Sequence, residues 1–482
     1  MNGILPVLSV EQIRAAEEQA FIKTAPGELM QRAAFGLAVA SVNLLEETYG
    51  RIYGTTVVIV VGPGNNGGDA LYAGGLLVRR GVRVSAHCVL PGVFHAEAMS
   101  AFLSAGGSVT EDLECDCDLV IDGIAGLGSE RPVDMKLAQW INDQPLVVSV
   151  DIPSGVSADT GACTPELCVH ADLTVTFGAL KPGLVLAPGS EFAGEIEIVD
   201  IGLEFVEPAH IQVMQSEYAS NFFVEPPTDS YKYSRGVVGI AAGSRHYPGA
   251  AQLCVLGAQH TGVGMVMFAE VGDFFFGVPS QHPHVVLADS TSSKITAWGV
   301  GPGFTGTDSE YEFLRDILTR PLPVVMDAGA LTALAKSSEL QELVRTRDSL
   351  TIVTPHAGEF RSLFPELEPP QRYGPNLKSV QQAAAQLNAM IVAKGPRTII
   401  CSSEAGCFVD IEGTSALSTA GSGDVLTGLI AGLIAAHPNR RSIEVVAAAV
   451  WTHGRAGRIA GLHSSYPTAV DIGSACAQVM CE

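Results

Sequence analysis

Residues 55–70 read TTVVIVVGPGNNGGDA. The apolar, β-branched run TTVVIV predicts a short buried strand. LYAGGLLVRRG, from residue 71, predicts a helix that ends at a glycine. Gly62, Gly64, Gly67 and Gly68 crowd the turn between them, beside Asn65 and Asn66. Strand, glycine turn and helix make the repeating unit of a parallel α/β sheet. Gly62, Gly64 and Gly67 also satisfy G-x-G-x-x-G, which lets a pyrophosphate approach a helix N-terminus. A dinucleotide site of that kind needs an acid at the end of the next strand, to hold the ribose. That strand, VRVSAHCVL at 82–90, carries none. The unusual part is the polar set Asn65, Asn66 and Asp69. On this stretch alone, a Gly/Asn turn with Asp69 near a helix start and a ligand site are equally good readings.

The same alternation runs outward in both directions. SVEQIRAAEEQA (9–20) predicts a helix with Ser9 as N-cap and Gln12 closing a capping box, and a second helix is expected over 27–50. VRVSAHCVL, CDLVIDGI, PLVVSVDIPS and DLTVTFG are further strands, and this first unit closes near residue 203. Less regular, proline-containing sequence follows. From Ser230 a second series begins: GVVGIAAGS, MVMFAE, ITAWGVGPG, PVVMDAG, LTIVTPHAGE and AMIVAKG, with helical spacers. The expected division is a domain over 1–205, a connector over 206–229 and a second α/β domain over 230–482. Ligands in such sheets gather beyond the carboxyl ends of the strands.

A chain of 482 residues is too long for one ordinary core. Apolar content of 47% and 52 glycines suit a soluble α/β protein with many tight loops. A net charge of −23 argues against general nucleic-acid binding, because phosphate contacts need Lys and Arg. No apolar run reaches the length of a membrane span, and the N-terminus has no basic segment ahead of an apolar one. The ten cysteines are scattered without zinc-type spacing. Cys254, Cys401 and Cys407 sit among apolar neighbours, so buried, reduced thiols and a cytoplasmic location are expected. His282 and His284 lack a nearby third ligand, which favours a structural role.

Three strand ends of the first unit carry polar residues after apolar runs: GNNGGD, VIDGIAGLGSERP and VSVDIPSGVSADTG. Asp122 and Asp151 are acids at buried strand ends, and a buried carboxylate needs a cation or several donors. Singly, each is best read as a cap or turn. Together they offer oxygens for a hard cation, from Asn66, Asp122 and Ser154, and glycine backbone for phosphate. This combination, with TVTFGALKPGL, resembles the N-terminal domain of the bifunctional NAD(P)H-hydrate repair enzymes over roughly the first two hundred residues. The resemblance implies an epimerase that interconverts the R and S forms of the 6-hydroxylated nicotinamide ring. It implies that Asn65, Asn66, Gly67, Gly68, Asp69, Gly126, Leu127, Gly128, Ser129, Glu130, Arg131, Pro132 and Asp151 hold the hydrate. It implies K⁺ on Asn66, Asp122 and Ser154. The strand-end placement of Asp122 beside Asn66 and Ser154 also suggests a role in proton transfer. Leu127 departs from the family, which often has Gly-Thr-Gly there.

The second unit carries STAGSGDVLTGLIAG at 418–432. Gly421, Ser422 and Gly423 lead into a helix, whose free N–H groups make an anion hole, and Asp424 in its first turn is a candidate base. No G-x-x-x-x-G-K-[ST] occurs, which excludes a P-loop kinase. Its companions are VTPHAGEF, AKGPRTII, GVGPGF and AAGSRHYPGAA. Alone, Lys394 reads as a surface lysine and His356 as a core histidine. The set resembles the ribokinase-like, nucleotide-dependent NAD(P)H-hydrate dehydratases from about Tyr231 onward. That resemblance implies Ala250, Gly303, His356 and Asp424 on the hydrate. It implies Lys394, Gly395, Pro396, Arg397, Thr398 and Gly423 on an adenine nucleotide, ADP with Mg²⁺. Gly329 stands where the family often has Asp. The expected protein is a Rossmann-like parallel-sheet domain followed by a ribokinase-like α/β domain, acting on small molecules (hydrated NADH, hydrated NADPH and ADP) as a homo-oligomer, without nucleic-acid or membrane partners. The alternative is a small-molecule kinase of ribokinase-like fold fused to a non-catalytic nucleotide-binding module.

Overall fold

The computed structural model describes every residue except 1–2, 112, 114–115, 128–131, 207–208, 224, 273–276, 368–373 and 480–482. The chain opens on β1 (Ile4–Val7). Seven strands follow: β2 (Thr56–Val61), β3 (Arg83–Cys88), β4 (Ser108–Val109), β5 (Leu119–Gly123), β6 (Val147–Val150), β7 (Leu173–Phe177) and β8 (Glu195–Val199). These seven form one sheet in the order β4-β3-β2-β5-β6-β7-β8. Every neighbouring pair is parallel. Central strands of such a sheet are covered on both faces, so their sequences run apolar without alternation. Val57 to Val61 are accordingly all buried. Strand order reverses between β2 and β5, and a crevice opens at such a switch point.

The glycine turn after β2 is shaped by that reversal. Gly62 donates its N–H to the Gly123 carbonyl at 3.0 Å. A Cβ on Gly62 would lie 1.8 Å from the Ile124 carbonyl oxygen, and one on Gly67 would lie 2.4 Å from the Gly62 carbonyl oxygen. The helix Asn65–Arg79 starts directly from this turn. What lies so close to the backbone is therefore the end of β5. The helix Val10–Lys23 has the expected capping box, with Ser9 and Gln12 exchanging both hydrogen bonds.

The second sheet adds β9 (Ile211–Met214), β10 (Val237–Ala241), β11 (Met265–Ala269), β12 (Val286–Ala288), β13 (Ala297–Val300), β14 (Val324–Met326), β15 (Thr351–Val353), β16 (Met390–Ala393), β17 (Ile399–Ser402) and β18 (Gly406–Val409). With β1 it has the order β1-β9-β18-β17-β16-β15-β14-β13-β10-β11-β12. β17 is antiparallel to both β16 and β18. The buried helix Ser422–Ala436 packs against Pro248–Gln259 with backbones in near contact: a Cβ on Gly428 would meet the Cys254 carbonyl oxygen at 1.9 Å.

Two expectations change. The chain divides into one compact unit of Met1–Leu5 with Ile211–Glu482 and another of Pro6–His210. The first residues thus serve the second sheet, where Gln215 donates to the Gly3 carbonyl. The stretch read as a connector contains β9 and the short helix Ser216–Ala219. β9 and β1 have only four residues each, too few for a periodic signal. Cys401 and Cys407, expected as free thiols, form a disulfide, because the antiparallel β17–β18 register places them opposite one another.

Candidate active sites

In the Pro6–His210 unit a cavity of about 1080 Å³ opens at the switch point. Asn65, Asn66, Asp69, Gly126, Leu127, Pro132 and Asp151 line it, as do Glu17 and Lys181. Gly67 and Gly68 are buried in the helix start behind Asn66. Gly128, Ser129, Glu130 and Arg131 lie outside the described residues.

Asn66, Asp122 and Ser154 are brought into one network. The Asn66 amide donates to the carbonyls of Ala125 (2.9 Å) and Val150 (2.6 Å). The Ala125 N–H donates to Ser154 Oγ at 3.0 Å, and that hydroxyl donates to Asp122 Oδ1 at 2.6 Å. Asp122 also accepts from Ser149 Oγ and the Ser154 N–H, both at 2.9 Å, and from the Ile124 N–H at 3.3 Å. It is fully buried and does not line the cavity. Donors from β6 and from the loops after β5 and β6 enclose its carboxylate, away from the cavity lining. Burial pushes its pKa up, against the Ser154 and Ser149 hydrogen bonds. The oxygen set suits a hard cation. Asn66, Ser154 and a buried carboxylate converge with the carbonyls that the Asn66 amide already occupies.

The groups that face the cavity are different ones. Asp151 sits at the end of β6 with φ 68°, a strained backbone for a non-glycine residue. Its Oδ1 accepts from the Lys181 ammonium, from Thr176 Oγ1 and from the Phe177 N–H. Lys181 is fully buried and also donates to Thr176 Oγ1 (2.8 Å) and the Phe177 carbonyl (2.9 Å). Asp69 is buried, and its Oδ1 has no hydrogen-bond partner. Burial, then the charges of Asp151 and Glu17, hold its pKa well above the usual carboxylate range. Sequence reasoning missed Lys181 and Glu17. A lysine in the apolar run FGALKPGL was the available signal for the first, and Glu17 had none.

In the second unit the centre is Asp327, which was also missed. It follows β14, is buried, accepts from Lys394 Nζ at 2.6 Å, and accepts from Thr427 Oγ1 at 2.9 Å. Burial lowers the Lys394 pKa, but Asp327 and Glu359 outweigh it and leave it raised. Asp424 stands in the first turn of Ser422–Ala436. Burial and the Asp327 charge push its pKa to about 7, against Lys394. A Cβ on Gly423 would lie 3.3 Å from Lys394 Nζ and 3.6 Å from Asp327 Oδ2. The helix start, the lysine and both carboxylates thus share one corner. His453 holds that start in place, with Nε2 3.1 Å from Ser422 Oγ and 3.0 Å from the Ser422 carbonyl. Burial lowers its pKa to about 4.

Gly303 (φ +76°) packs on Ala250, and the same loop passes Asp327: a Cβ on Gly301 would lie 2.2 Å from the Asp327 carbonyl oxygen. A Cβ on Gly329 would lie 2.3 Å from the Phe304 carbonyl oxygen, so a larger residue has no room there without a shift of that loop. His356 caps the helix Ala357–Leu363 through Nδ1 with its side chain 61% exposed, and it bridges to Lys394 along the backbone. It is a surface cap and not the core histidine that its apolar surroundings suggested. Beyond the exposed Gly395 and Pro396 turn, Arg397 donates to the Ile411 carbonyl at 2.5 Å, and Thr398 is buried.

Known proteins match both units. Residues 238–476 match the family described as NAD(P)H-hydrate dehydratase, and residues 26–183 match the YjeF-related protein N-terminus. The bifunctional NAD(P)H-hydrate repair enzyme Nnr of Mycobacterium tuberculosis is 39% identical over 433 residues, covering 89% of this chain and 88% of that protein. The chain belongs to the bifunctional NAD(P)H-hydrate repair enzymes. The Synechocystis member is 32% identical, with 94% of this chain and 90% of that one covered. The solved ADP/ATP-dependent NAD(P)H-hydrate dehydratase of Bacillus subtilis, co-crystallised with ATP/Mg²⁺, is 27% identical at a TM-score of 0.46, covering 55% of this chain and 96% of that chain. Family membership thus extends across both sheets, and each sheet has its own cluster of carboxyls and a buried or partly buried lysine.

Proposed function

We propose that this protein repairs hydrated NADH and NADPH. The Pro6–His210 unit interconverts the R and S epimers at C6 of the nicotinamide ring. The second unit returns the S epimer to NADH or NADPH at the expense of ADP, giving AMP and phosphate. The observation that carries this function is Asp424, poised to exchange a proton near pH 7 at the start of a glycine-led helix, beside the Lys394–Asp327 pair. Hydroxide leaves carbon poorly. Transfer of a phosphoryl group to the C6 oxygen makes a good leaving group, which the ring-nitrogen lone pair can expel as phosphate; loss of a C5 proton from the resulting iminium ion then forms the C5=C6 bond of the dihydronicotinamide. Asp424 takes the hydroxyl proton during the transfer. The Gly423 N–H at the helix start and the Lys394 ammonium stabilise the charge that develops on the phosphoryl oxygens. Mg²⁺ bound with ADP would neutralise the same charge. Ala250, Gly303 and His356 would border the hydrate, and the 394–398 turn with Gly423 would border the nucleotide.

In the first unit Asn65, Asn66, Asp69, Asp151 and residues 126–132 would hold the hydrate. K⁺ held by Asn66, Asp122 and Ser154 would fix the loops after β5 and β6 and offset the Asp122 charge. The same proposal places the enzyme in the cytoplasm as a homo-oligomer that meets only small molecules. Incubation of the S hydrate with ADP, ATP or neither tests it. Recovery of the dihydronicotinamide absorbance with a nucleotide supports it, whereas accumulation of a phosphorylated hydrate identifies a kinase instead.

A further inference from the structure

The first-unit cavity presents Asp69, Asp151 and Glu17, with Glu97 and Asp134 also in its lining, and the Lys181 ammonium. Lys181 spends its donors on Asp151, Thr176 and the Phe177 carbonyl, so none of its bonds reaches Asp69. Asp69 is 6% exposed with an unpartnered oxygen, on a wall of a cavity that other acids also line. A buried polar group without a partner calls for a physical reason. An ionised carboxylate in that position has no compensating donor at Oδ1, whereas a carboxylic acid there keeps a proton it can donate. Its pKa, lifted well above the usual range by burial and by Asp151 and Glu17, agrees. Asp151, in contrast, is tied to a cation. Two carboxyls whose surroundings differ in this way divide naturally into acid and base.

Inversion at C6 by way of ring opening needs both. We propose that Asp69 is the general acid of epimerisation, giving its proton to the ring nitrogen as the C6–N1 bond breaks, while Asp151 takes the proton of the C6 hydroxyl. The C6–N1 electron pair stays on nitrogen, and the O–H pair becomes the second bond of a C6 aldehyde. Rotation about C5–C6 presents the other face. Nitrogen then attacks the aldehyde, returns its proton to Asp69, and the oxygen recovers its proton from Asp151. Atoms and electrons balance without a further reactant. This inference rests on the epimerase function proposed above.

The full-length enzyme, followed by NMR as it converts the purified R hydrate to S, provides the test. Conversion by the wild type no faster than the spontaneous rate would remove the epimerase function itself. Given that activity, Asp69→Asn should lower kcat about 10²- to 10⁴-fold with KM little changed. The acid works only while protonated, so wild-type activity should fall as pH rises through the Asp69 pKa, and that limb should vanish in Asp69→Asn. Arg14, Glu17, His95, Glu97, Asp134, Asp151 and Lys181 face the same cavity from other elements, and Tyr72 from the helix of Asp69 itself. An alkaline limb that persists unchanged in Asp69→Asn belongs to one of them and overturns the assignment. So does a raised KM at wild-type kcat, which would reduce Asp69 to a binding group. Where Asp69→Asn does not fold, Asp69→Glu keeps an acid on a longer arm. Its alkaline limb must move from the wild-type position, and an unmoved limb overturns the proposal.

Discussion

Asp424 combines a position and a proton affinity that suit one task. With its pKa near 7, it is ionised above that pH and able to accept the hydroxyl proton. Dehydration by the free enzyme should therefore rise with pH to a plateau above about 7, read as kcat/KM. Asp424→Asn keeps the size, and the helix start has no side-chain cap bond to lose, so nucleotide affinity should hold while kcat falls by roughly 10²- to 10⁴-fold. A folded Asp424→Asn enzyme at the wild-type rate would remove Asp424 from the proton transfer. Asp424 was legible in the sequence because it follows a glycine turn and opens a helix. Asp122 was equally legible, but the network that encloses it was not. Its strand-end position is visible in VIDGIAG, whereas the path that brings Ser149 and Ser154 around it is not. Asp327 and Lys181 were hidden for a related reason: each matters through a partner remote in sequence, Lys394 in one case and Asp151 in the other.

At the scale of the element, the turn between β2 and the helix Asn65–Arg79 is the most constrained piece. It was read from its glycines, and the structure gives those glycines a packing cause before any ligand is considered. A Cβ on Gly62 would fall 1.8 Å from a backbone oxygen that cannot swing aside as a side chain can. Gly62→Ala should destabilise the first unit by about 1–3 kcal/mol or more, measured by denaturant unfolding. A variant as stable as wild type would mean that β5 ends further from the turn. The short strands were not legible. β1 and β9 have four residues each, and their place at one edge of the second sheet is set by pairing alone. A fragment 230–482 lacks both and leaves β18 without its outer neighbour. It should unfold at lower denaturant than 211–482, and equal midpoints would show that β9 contributes nothing to the second unit.

For the whole molecule, the parallel architecture was legible because apolar strands alternate with helical spacers, and the position of both sites at strand ends followed from it. The division was not, since the chain passes between its two units both after Leu5 and after His210. Stability should also carry the mark of buried acids. Burial pushes Asp410 to about 7, although the N–H groups of Glu412 and Gly413 support its carboxylate. Its folded pKa lies above its unfolded one. The folded state therefore keeps a proton the unfolded chain has released, and stability falls as pH rises from about 4 to about 7. His453, lowered to about 4, acts in the opposite sense, losing stability as pH drops from about 6.5 to 4. Asp410→Asn isolates the first effect. Relative to wild type it should gain on the order of a few kcal/mol between pH 4 and 7 and then stay level. A pH-independent difference would show that Asp410 is ionised in the folded protein.

The central claim is that one chain performs both halves of the repair, and it is tested most directly on the R hydrate of NADH, with full-length enzyme and ADP present. Dehydration alone cannot use that epimer. Continuous absorbance should show NADH recovered from the R hydrate faster than the spontaneous epimerisation rate allows, and AMP formed in equal amount. Recovery limited to the spontaneous rate, or none at all, would contradict it.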